Sequence, residues 1–352
     1  MRILVIGASG FAGSLLVPRL LSDGHAVRAL GRDPARVSRA LARGLPPKAG
    51  PDGEVPPIAE ADLHAGAGPD AEILRGDALT GEGLSQALDG VDVAYYLIHS
   101  MERPPASPVT PGGSSRRSSP DPSHVDRFDE RERVAAENFA AAAVRAGARR
   151  IVYLGGLLGQ GAGTPSRHLA SRAAVERILL EAVPDSVALR ASIVIGARSR
   201  SFRFLVHLIE RLPVLALPAW RDFHTQPIDG RDVTEMLAAS ATAEVAGRSL
   251  DVGGPDVLTY GEMIARIADA MLVSRPTVGL NLGVTSLGAR LAAAVAGEEA
   301  ELVLPLMEGL RGDLLPADDR AAELLGVELH PFDSAVEHAL GDWEASERLA
   351  AR

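Results

Sequence analysis

Cysteine is absent from the chain, which excludes disulfides, a thiolate nucleophile and any Cys-based metal site, and leaves the redox compartment open. Lysine occurs once, as Lys48, and none of Tyr95, Tyr96, Tyr153 or Tyr260 is followed four residues later by lysine. A Tyr-x-x-x-Lys pair is therefore excluded. Basic residues do not predominate: 36 Lys and Arg face 46 Asp and Glu, a net charge of −10. This balance disfavours a general role on nucleic acid or an anionic membrane and suits a small-molecule ligand. Long apolar runs are also missing, because the stretch from Leu291 to Met307 is broken by Glu298, Glu299 and Glu301. No span of about 20 apolar residues is expected to cross a bilayer. The opening Met1-Arg2-Ile3-Leu4-Val5-Ile6 lacks the plan of a signal peptide and reads as a buried strand, with the cytoplasm as the default compartment. The histidines show no metal-ligand spacing, so no metal is expected.

What is present is an alternation. Aromatics make up 4% of the chain, while hydrophobic residues reach 46%, a composition suited to helices packed on a parallel sheet. Short apolar runs predict strands at Arg2 to Ile6, Ala26 to Leu30, Glu72 to Arg75, Asp92 to Leu97, Arg150 to Leu154 and Ser186 to Arg190. Helices are predicted to begin near Phe11, Pro34, Gly81, Val125 and Ser166. The fold class is thus α/β, a Rossmann-type doubly wound parallel sheet with a smaller C-terminal substrate lobe. The expected division is 1–195 for the nucleotide domain and 196–352 for the lobe, partly interleaved with it. Two Pro/Gly/Ser-rich stretches, 44–69 and 102–123, read as surface insertions, with a regulatory loop or an active-site lid as the alternative.

The most informative local feature is Gly7-Ala8-Ser9-Gly10-Phe11-Ala12-Gly13, which follows a strand and opens a helix. Glycines at these positions permit a tight turn, close approach of a diphosphate and close packing of the helix on the sheet. The helix N-terminus then offers N–H groups to an anion. Gly7, Ser9, Gly10, Phe11, Ala12 and Gly13 are accordingly assigned to a dinucleotide. The second strand ends in Arg32, which accommodates a ribose 2′-phosphate, although Asp33 follows directly. The expected cofactor is NADP, with NAD as the alternative. By topology Asp77 and Ala78 face the adenine side, and Leu97, Ile98 and His99 face the nicotinamide-side ribose. Asp77 has two readings, a hydrogen bond to the adenine amino group or a cap on the helix near Gly81.

Several longer runs are more specific. Tyr95-Tyr96-Leu97-Ile98-His99-Ser100-Met101, His168-Leu169-Ala170-Ser171-Arg172, Leu189 through Gly196, Leu212-Pro213-Val214 and Gly253 through Tyr260 resemble the atypical short-chain dehydrogenase/reductase superfamily, in its NAD(P)H-binding NmrA-like and YbjT-like branch. The resemblance covers most of the chain. It implies that Gly155, Gly156, Arg172, Ala191 and Ile193 also line the cofactor. In catalytic members a Tyr and a Lys one helical turn apart, with a Ser at the fifth strand's end, run keto-alcohol chemistry. Here His168 and Arg172 keep the four-residue spacing, and Leu154-Gly155-Gly156-Leu157 stands where the serine would be. His168 and Arg172 are the catalytic candidates: histidine titrates near neutrality, and arginine keeps the charge and donors of lysine without giving up a proton. Trp220-Arg221 and Arg231-Asp232 have two readings, pocket lining or structural pairing.

Two functions compete at this point. One is an NADPH-dependent oxidoreductase acting on an unknown small molecule. The other, implied by resemblance to NmrA-like regulators and to the Rossmann-type accessory subunit of respiratory complex I, is a non-catalytic NADP(H)-binding redox sensor or complex-stabilising protein. Association with another protein or as a homodimer belongs with the second reading.

Overall fold

The computed structural model describes residues 1–44, 71–98, 123–158, 167–217, 219–279, 312–347 and 349. His99 and the expected insertions, apart from their end residues Gly44 and Ser123, lie outside the described residues. The first half alternates as β1 (Arg2–Ile6), α1 (Phe11–Ser22), β2 (Ala26–Gly31), α2 (Pro34–Gly44), β3 (Glu72–Arg75), α3 (Leu84–Leu88), β4 (Val93–Tyr96), α4 (Ser123–Ala146), β5 (Arg150–Gly156), α5 (Arg167–Ala182) and β6 (Val187–Ala191). Then come β7 (Val194–Ile195), α6 (Arg200–Arg211), β8 (Leu215–Leu217), a 3-10 turn (Ala219–Asp222), β9 (His224–Thr225), β10 (Ile228–Asp229) and α7 (Gly230–Ala239). The remainder is β11 (Arg248–Val252), β12 (Leu258–Thr259), α8 (Tyr260–Ala270), β13 (Thr277–Gly279), α9 (Ala321–Leu325) and α10 (Phe332–Ser346).

Among the described residues, seven strands form the main sheet in the order β11-β6-β5-β4-β1-β2-β3, and all neighbours run parallel. Chain direction reverses its march between β1 and β4. That switch point opens a crevice at the carboxyl ends of the strands, where ligands of such sheets bind. Parallel strands are covered on both faces, so they read as continuous apolar runs. In β1, Ile3 and Val5 enter one core with Leu16, Tyr95, Val152 and Leu237. Leu4 and Ile6 enter the other with Tyr96, Phe139, Tyr153 and Leu179. A separate core around Phe202, Trp220, Tyr260, Phe332 and Trp343 holds the C-terminal elements.

Sequence reading found six of the seven strands and missed β11. After Arg248, its Ser249-Leu250-Asp251-Val252 alternates polar and apolar residues, because among the described residues it lies at the sheet edge and pairs only with β6. A four-residue alternation has no local mark that separates an edge strand of this sheet from a hairpin strand of another. The C-terminal half also supplies α7, which packs on α1 and whose Leu237 carbonyl accepts from the Tyr95 hydroxyl at 2.8 Å. Among the described residues no helix is long and apolar enough to cross a membrane.

Arg231 and Asp232 resolve into structural pairs. Arg231 donates to Asp229, the N-cap of α7, at 2.6 and 3.0 Å. Asp232 is buried and accepts from the His330 backbone at 2.8 Å and meets its Nδ1 at 2.5 Å. Burial pushes the Asp232 carboxyl up, and the His330 hydrogen bonds oppose that shift.

One local strain is exposed to measurement. Helix α8 closes with Leu272 N–H on Asp269 O at 2.9 Å and Val273 N–H on Ala268 O at 3.0 Å, a helix ending that places Leu272 at a φ of +58°. Glycine is the usual residue there, since a Cβ costs about 1–2 kcal/mol in this region. Leu272 is 83% exposed and has little packing to lose. Leu272→Gly is expected to raise stability by about 0.5–1 kcal/mol after the entropy of the freer unfolded chain is deducted. A urea midpoint that falls, with unchanged slope, would contradict this.

Candidate functional site

The crevice begins at the end of β1. Gly7 turns the chain at φ +88°, and a Cβ there would meet the Leu97 carbonyl oxygen at 2.6 Å. The exit of β4 is therefore seated directly on the turn. Gly10 N–H bonds Gly7 O at 2.9 Å and Ser14 N–H bonds Gly10 O at 3.0 Å. Gly10 caps α1 without a side-chain acceptor, so the N–H groups of Phe11, Ala12 and Gly13 open the helix with no intrahelical partner. A Cβ on Gly13 would meet Ala8 Cα at 2.7 Å and press on Gly7 O. An uncapped helix N-terminus behind a cradle that any side chain would fill fits a dinucleotide diphosphate. The Phe11 ring points elsewhere. Cβ atoms on Gly196 and Gly230 would meet its Cζ at 2.5 and 2.7 Å, so it anchors the C-terminal elements and leaves its backbone N–H at the helix start.

At the end of β2 the two candidate residues have different environments. Asp33 Oδ1 accepts from Ala35 N–H at 3.0 Å and Arg36 N–H at 3.2 Å, capping α2. Arg32 is exposed beside it. The Asp33 carboxylate is thus engaged with its own helix.

Asp77 closes its own turn, accepting Leu79 N–H on Oδ1 at 2.9 Å and Gly81 N–H on its carbonyl at 2.8 Å. It does not cap the following helix: α3 starts at Leu84 and its N-cap is Gly83. Asn138 of α4 donates to the carbonyls of Ala78 and Leu79 at 3.0 and 2.9 Å, which pins that turn beside the crevice. Ala78 and Leu97 are buried and Ile98 is half-buried.

Gly155 and Gly156 extend β5 two residues past its predicted end. A Cβ on Gly156 would meet Arg172 Nη1 at 2.8 Å. The structure therefore brings Arg172 of α5 over the carboxyl end of β5. His168 lies one turn earlier on the same helix, and its side chain is outside the described residues. Ala191 ends β6, its carbonyl accepting Leu157 N–H at 3.0 Å, and the Ile193 carbonyl accepts Ile228 N–H at 2.9 Å.

The tyrosines near this end are interior. Tyr153 is 2% exposed, 6.2 Å ring to ring from Tyr96, and burial pushes both phenols well above their ordinary range. The positive charge of Arg172 works against this at Tyr153, while the Glu132 carboxylate adds to it. Glu132 is itself buried and accepts from Ser171 Oγ at 2.8 Å. Neither phenol is poised to give up a proton near neutral pH.

Helix α5 is held by a second buried carboxylate. Glu176 is 5% exposed. It accepts from Arg190 of β6 at 2.6 and 2.9 Å and from Ser249 of β11 at 2.5 Å, and Asp251 stands 3.7 Å from the same arginine.

Sequence reading missed Arg198. Its Nη1 donates at 3.1 Å to Ser14 Oγ, which donates to Phe11 O at 2.9 Å. A cation from the loop after β7 thereby reaches the first turn of α1. The two residues are 184 positions apart, and no local spacing signals the pairing. Ser192, which follows β6, is buried with its hydroxyl 3.4 Å from that of Thr225.

Residues 1–182 match the NmrA-like family. A 108-residue segment, 30% of this chain, is 29% identical to mitochondrial NADH dehydrogenase [ubiquinone] 1 alpha subcomplex subunit 9 of Arabidopsis thaliana. That segment spans only 27% of the relative. Among solved structures, gox2253 aligns over 99% of both chains with a TM-score of 0.66 at 20% identity. UDP-glucose 4-epimerase of Thermotoga maritima, solved with UDP-glucose, aligns over 98% of this chain and 99% of its own with a TM-score of 0.64 at 12% identity. MoeE5, in complex with UDP-glucose and NAD, gives 0.62 at 18% identity over 98% and 99%. At these identities the likeness is one of fold.

Proposed function

Because the chain belongs to the NmrA-like family, an NAD(P)-binding family, we propose that it is an NADPH-dependent oxidoreductase of a small molecule that works without a Tyr-x-x-x-Lys pair. The observation that carries this reading is Arg172 over Gly156: a permanent cation on α5 faces the end of β5, one turn after His168. The glycine turn and the first N–H groups of α1 would hold the diphosphate, and Arg198 adds positive charge at that helix start. Arg32 would meet the 2′-phosphate, a reading favoured by the engagement of Asp33 as a cap. NADPH bound there supplies a hydride. Arg172 orients the ligand electrostatically and cannot serve as the proton donor; His168 is the residue of this helix suited to hold or deliver a proton. Residues 1–195 are the cofactor domain in this reading, and 196–352 add β11 and α7 to it while forming the substrate lobe.

The test follows NADPH absorbance across enones, quinones and aldehydes. Turnover of one class is expected, and Arg172→Ala should lower it by about 100-fold, the size of a lost charged contact in a dry site. In the same preparation NADP(H) should raise the melting temperature more than NAD(H), and Arg32→Glu should reverse the order. Equal shifts with both cofactors would remove the NADP assignment.

A second reading has its own support. The relative in Arabidopsis is a subunit of NADH dehydrogenase, and the phenols nearest the crevice are buried and held protonated. Tight NADPH binding with no turnover of any acceptor would make this chain a cofactor-binding sensor or a stabilising component of a larger assembly.

A further inference from the structure

Beyond the cofactor crevice, the C-terminal core contains buried hydrogen-bond donors that meet no acceptor among the described residues. Trp220 is 7% exposed and Tyr260 is 2% exposed, and their rings meet edge to face with centroids 6.0 Å apart. Among the described residues, Trp220 Nε1, Arg221 Nη1 and the Tyr260 hydroxyl are all buried without a hydrogen-bond partner. The Tyr260 hydroxyl lies by Thr225 without a well-formed bond to it, and burial lifts its pKa to about 12. An indole N–H and a guanidinium can only donate, and a protonated phenol can donate. Each such group left unmet costs about as much as a lost hydrogen bond, so folded proteins supply a partner.

The three groups belong to one small region. Trp220 and Arg221 are successive residues of the 3-10 turn, and Tyr260 starts α8. The Phe223 carbonyl accepts Tyr260 N–H at 3.0 Å, and a Cβ on Gly261 would lie 3.6 Å from Arg221 Cβ. Arg221 reaches across to lie directly on Gly279, where any side chain would displace the guanidinium. The neighbouring acids are engaged. Asp222 meets Arg221 Nε at 3.3 Å, Glu262 accepts from Thr259 N–H at 2.8 Å, and Asp313 accepts from His224 N–H at 2.7 Å. Thr225 links the region to the crevice, since its hydroxyl is 3.4 Å from that of Ser192, the residue after β6.

We propose that Trp220, Arg221 and Tyr260 form an anion subsite that anchors a carboxylate or phosphoryl group of the substrate, whose other end extends past Thr225 to the end of β6. Three donors, one permanently charged, match a group with several acceptor oxygens and a negative charge. The proposal rests on residues 196–352 being the substrate lobe and is independent of which nicotinamide cofactor is bound.

The experiment is calorimetric titration of the full-length protein, saturated with NADP⁺ so that the glycine turn is filled, with inorganic pyrophosphate, succinate and uncharged succinamide. One anion at least is expected to bind one to one while succinamide does not, and the better anion identifies the group as phosphoryl or carboxylate. Arg221→Gln should weaken that anion by about tenfold or more with NADP⁺ affinity unchanged. Trp220→Phe, which keeps a ring and loses the N–H, should weaken it by about five- to tenfold. The second variant decides the matter where the first does not fold. Binding of neither anion, or equal binding by wild type and both folded variants, would overturn the proposal and leave these donors to buried water. Failure of NADP⁺ to bind would instead refute the cofactor reading, and the same titrations without it would still test dependence on Arg221.

Discussion

Gly13→Val is expected to reduce NADPH affinity by at least about 100-fold and to lower stability by about 2–3 kcal/mol. The reason is backbone against backbone. A Cβ at this position would meet Ala8 Cα at 2.7 Å and press on the Gly7 carbonyl, and neither atom can rotate away as a side chain would. Helix α1 must move off β1, which costs packing and shifts the N–H groups of Phe11 and Ala12 that the diphosphate reading requires. Gly10→Ala is a useful contrast, because a Cβ there meets only Gly7 O at 3.2 Å. Its expected loss of affinity is under about tenfold, the size of one modest adjustment. Fluorescence titration with NADPH and urea unfolding read both quantities. Affinity for Gly13→Val within threefold of wild type would show that the cofactor is held somewhere other than this turn.

The second large effect is on stability. Glu176→Ala is expected to cost about 2–4 kcal/mol in urea unfolding. The carboxylate accepts three donors from two different strands, and its loss leaves the Arg190 charge, 27% exposed at the side chain, facing Asp251 at 3.7 Å. Breaking one side of a buried pair costs more than the pair itself contributes, because the remaining charge keeps its desolvation penalty. Partial exposure of Arg190 places the figure at the lower end of the usual range. Glu176→Gln, which keeps the shape and some acceptors, should lose about half as much. Since Arg172 is one helical turn from Glu176 on α5, Glu176→Ala should also blunt any Arg172-dependent turnover. A loss below 1 kcal/mol would mean that the contacts of α5 with β5, rather than this network, hold the helix.

Legibility differed sharply between neighbouring parts of the site. The run from Arg2 to Ser22 carries its own instructions, since strand, turn and helix are contiguous and each glycine answers to an atom within a few residues, apart from the seat of Leu97 on Gly7. The Arg32/Asp33 ambiguity needed side-chain geometry, because a carboxylate at that spacing suits a helix cap as well as a ribose. Asp77 shows the same limit: an acid at that position suits an adenine contact or a helix cap equally, and only the structure shows that it closes its own turn and leaves the N-cap of α3 to Gly83. His168 and Arg172 were paired from spacing, and the fold gave Arg172 a location over Gly156 that spacing alone does not supply.

By itself the sequence determined the α/β class, six of the seven sheet strands, the glycine turn and the exclusion of a Tyr-x-x-x-Lys pair. These are properties of short contiguous segments, where periodicity and side-chain size act directly on the backbone. Tertiary structure alone decided that β11 completes the sheet, that Arg198 reaches Ser14, that Glu176 joins β6 to β11, and that the indole N–H of Trp220, Nη1 of Arg221 and the Tyr260 hydroxyl are withdrawn from water in one region. Each joins residues distant in the chain, and what selects them is the closing of the C-terminal elements around β6 and α1, where polar groups removed from water must find partners.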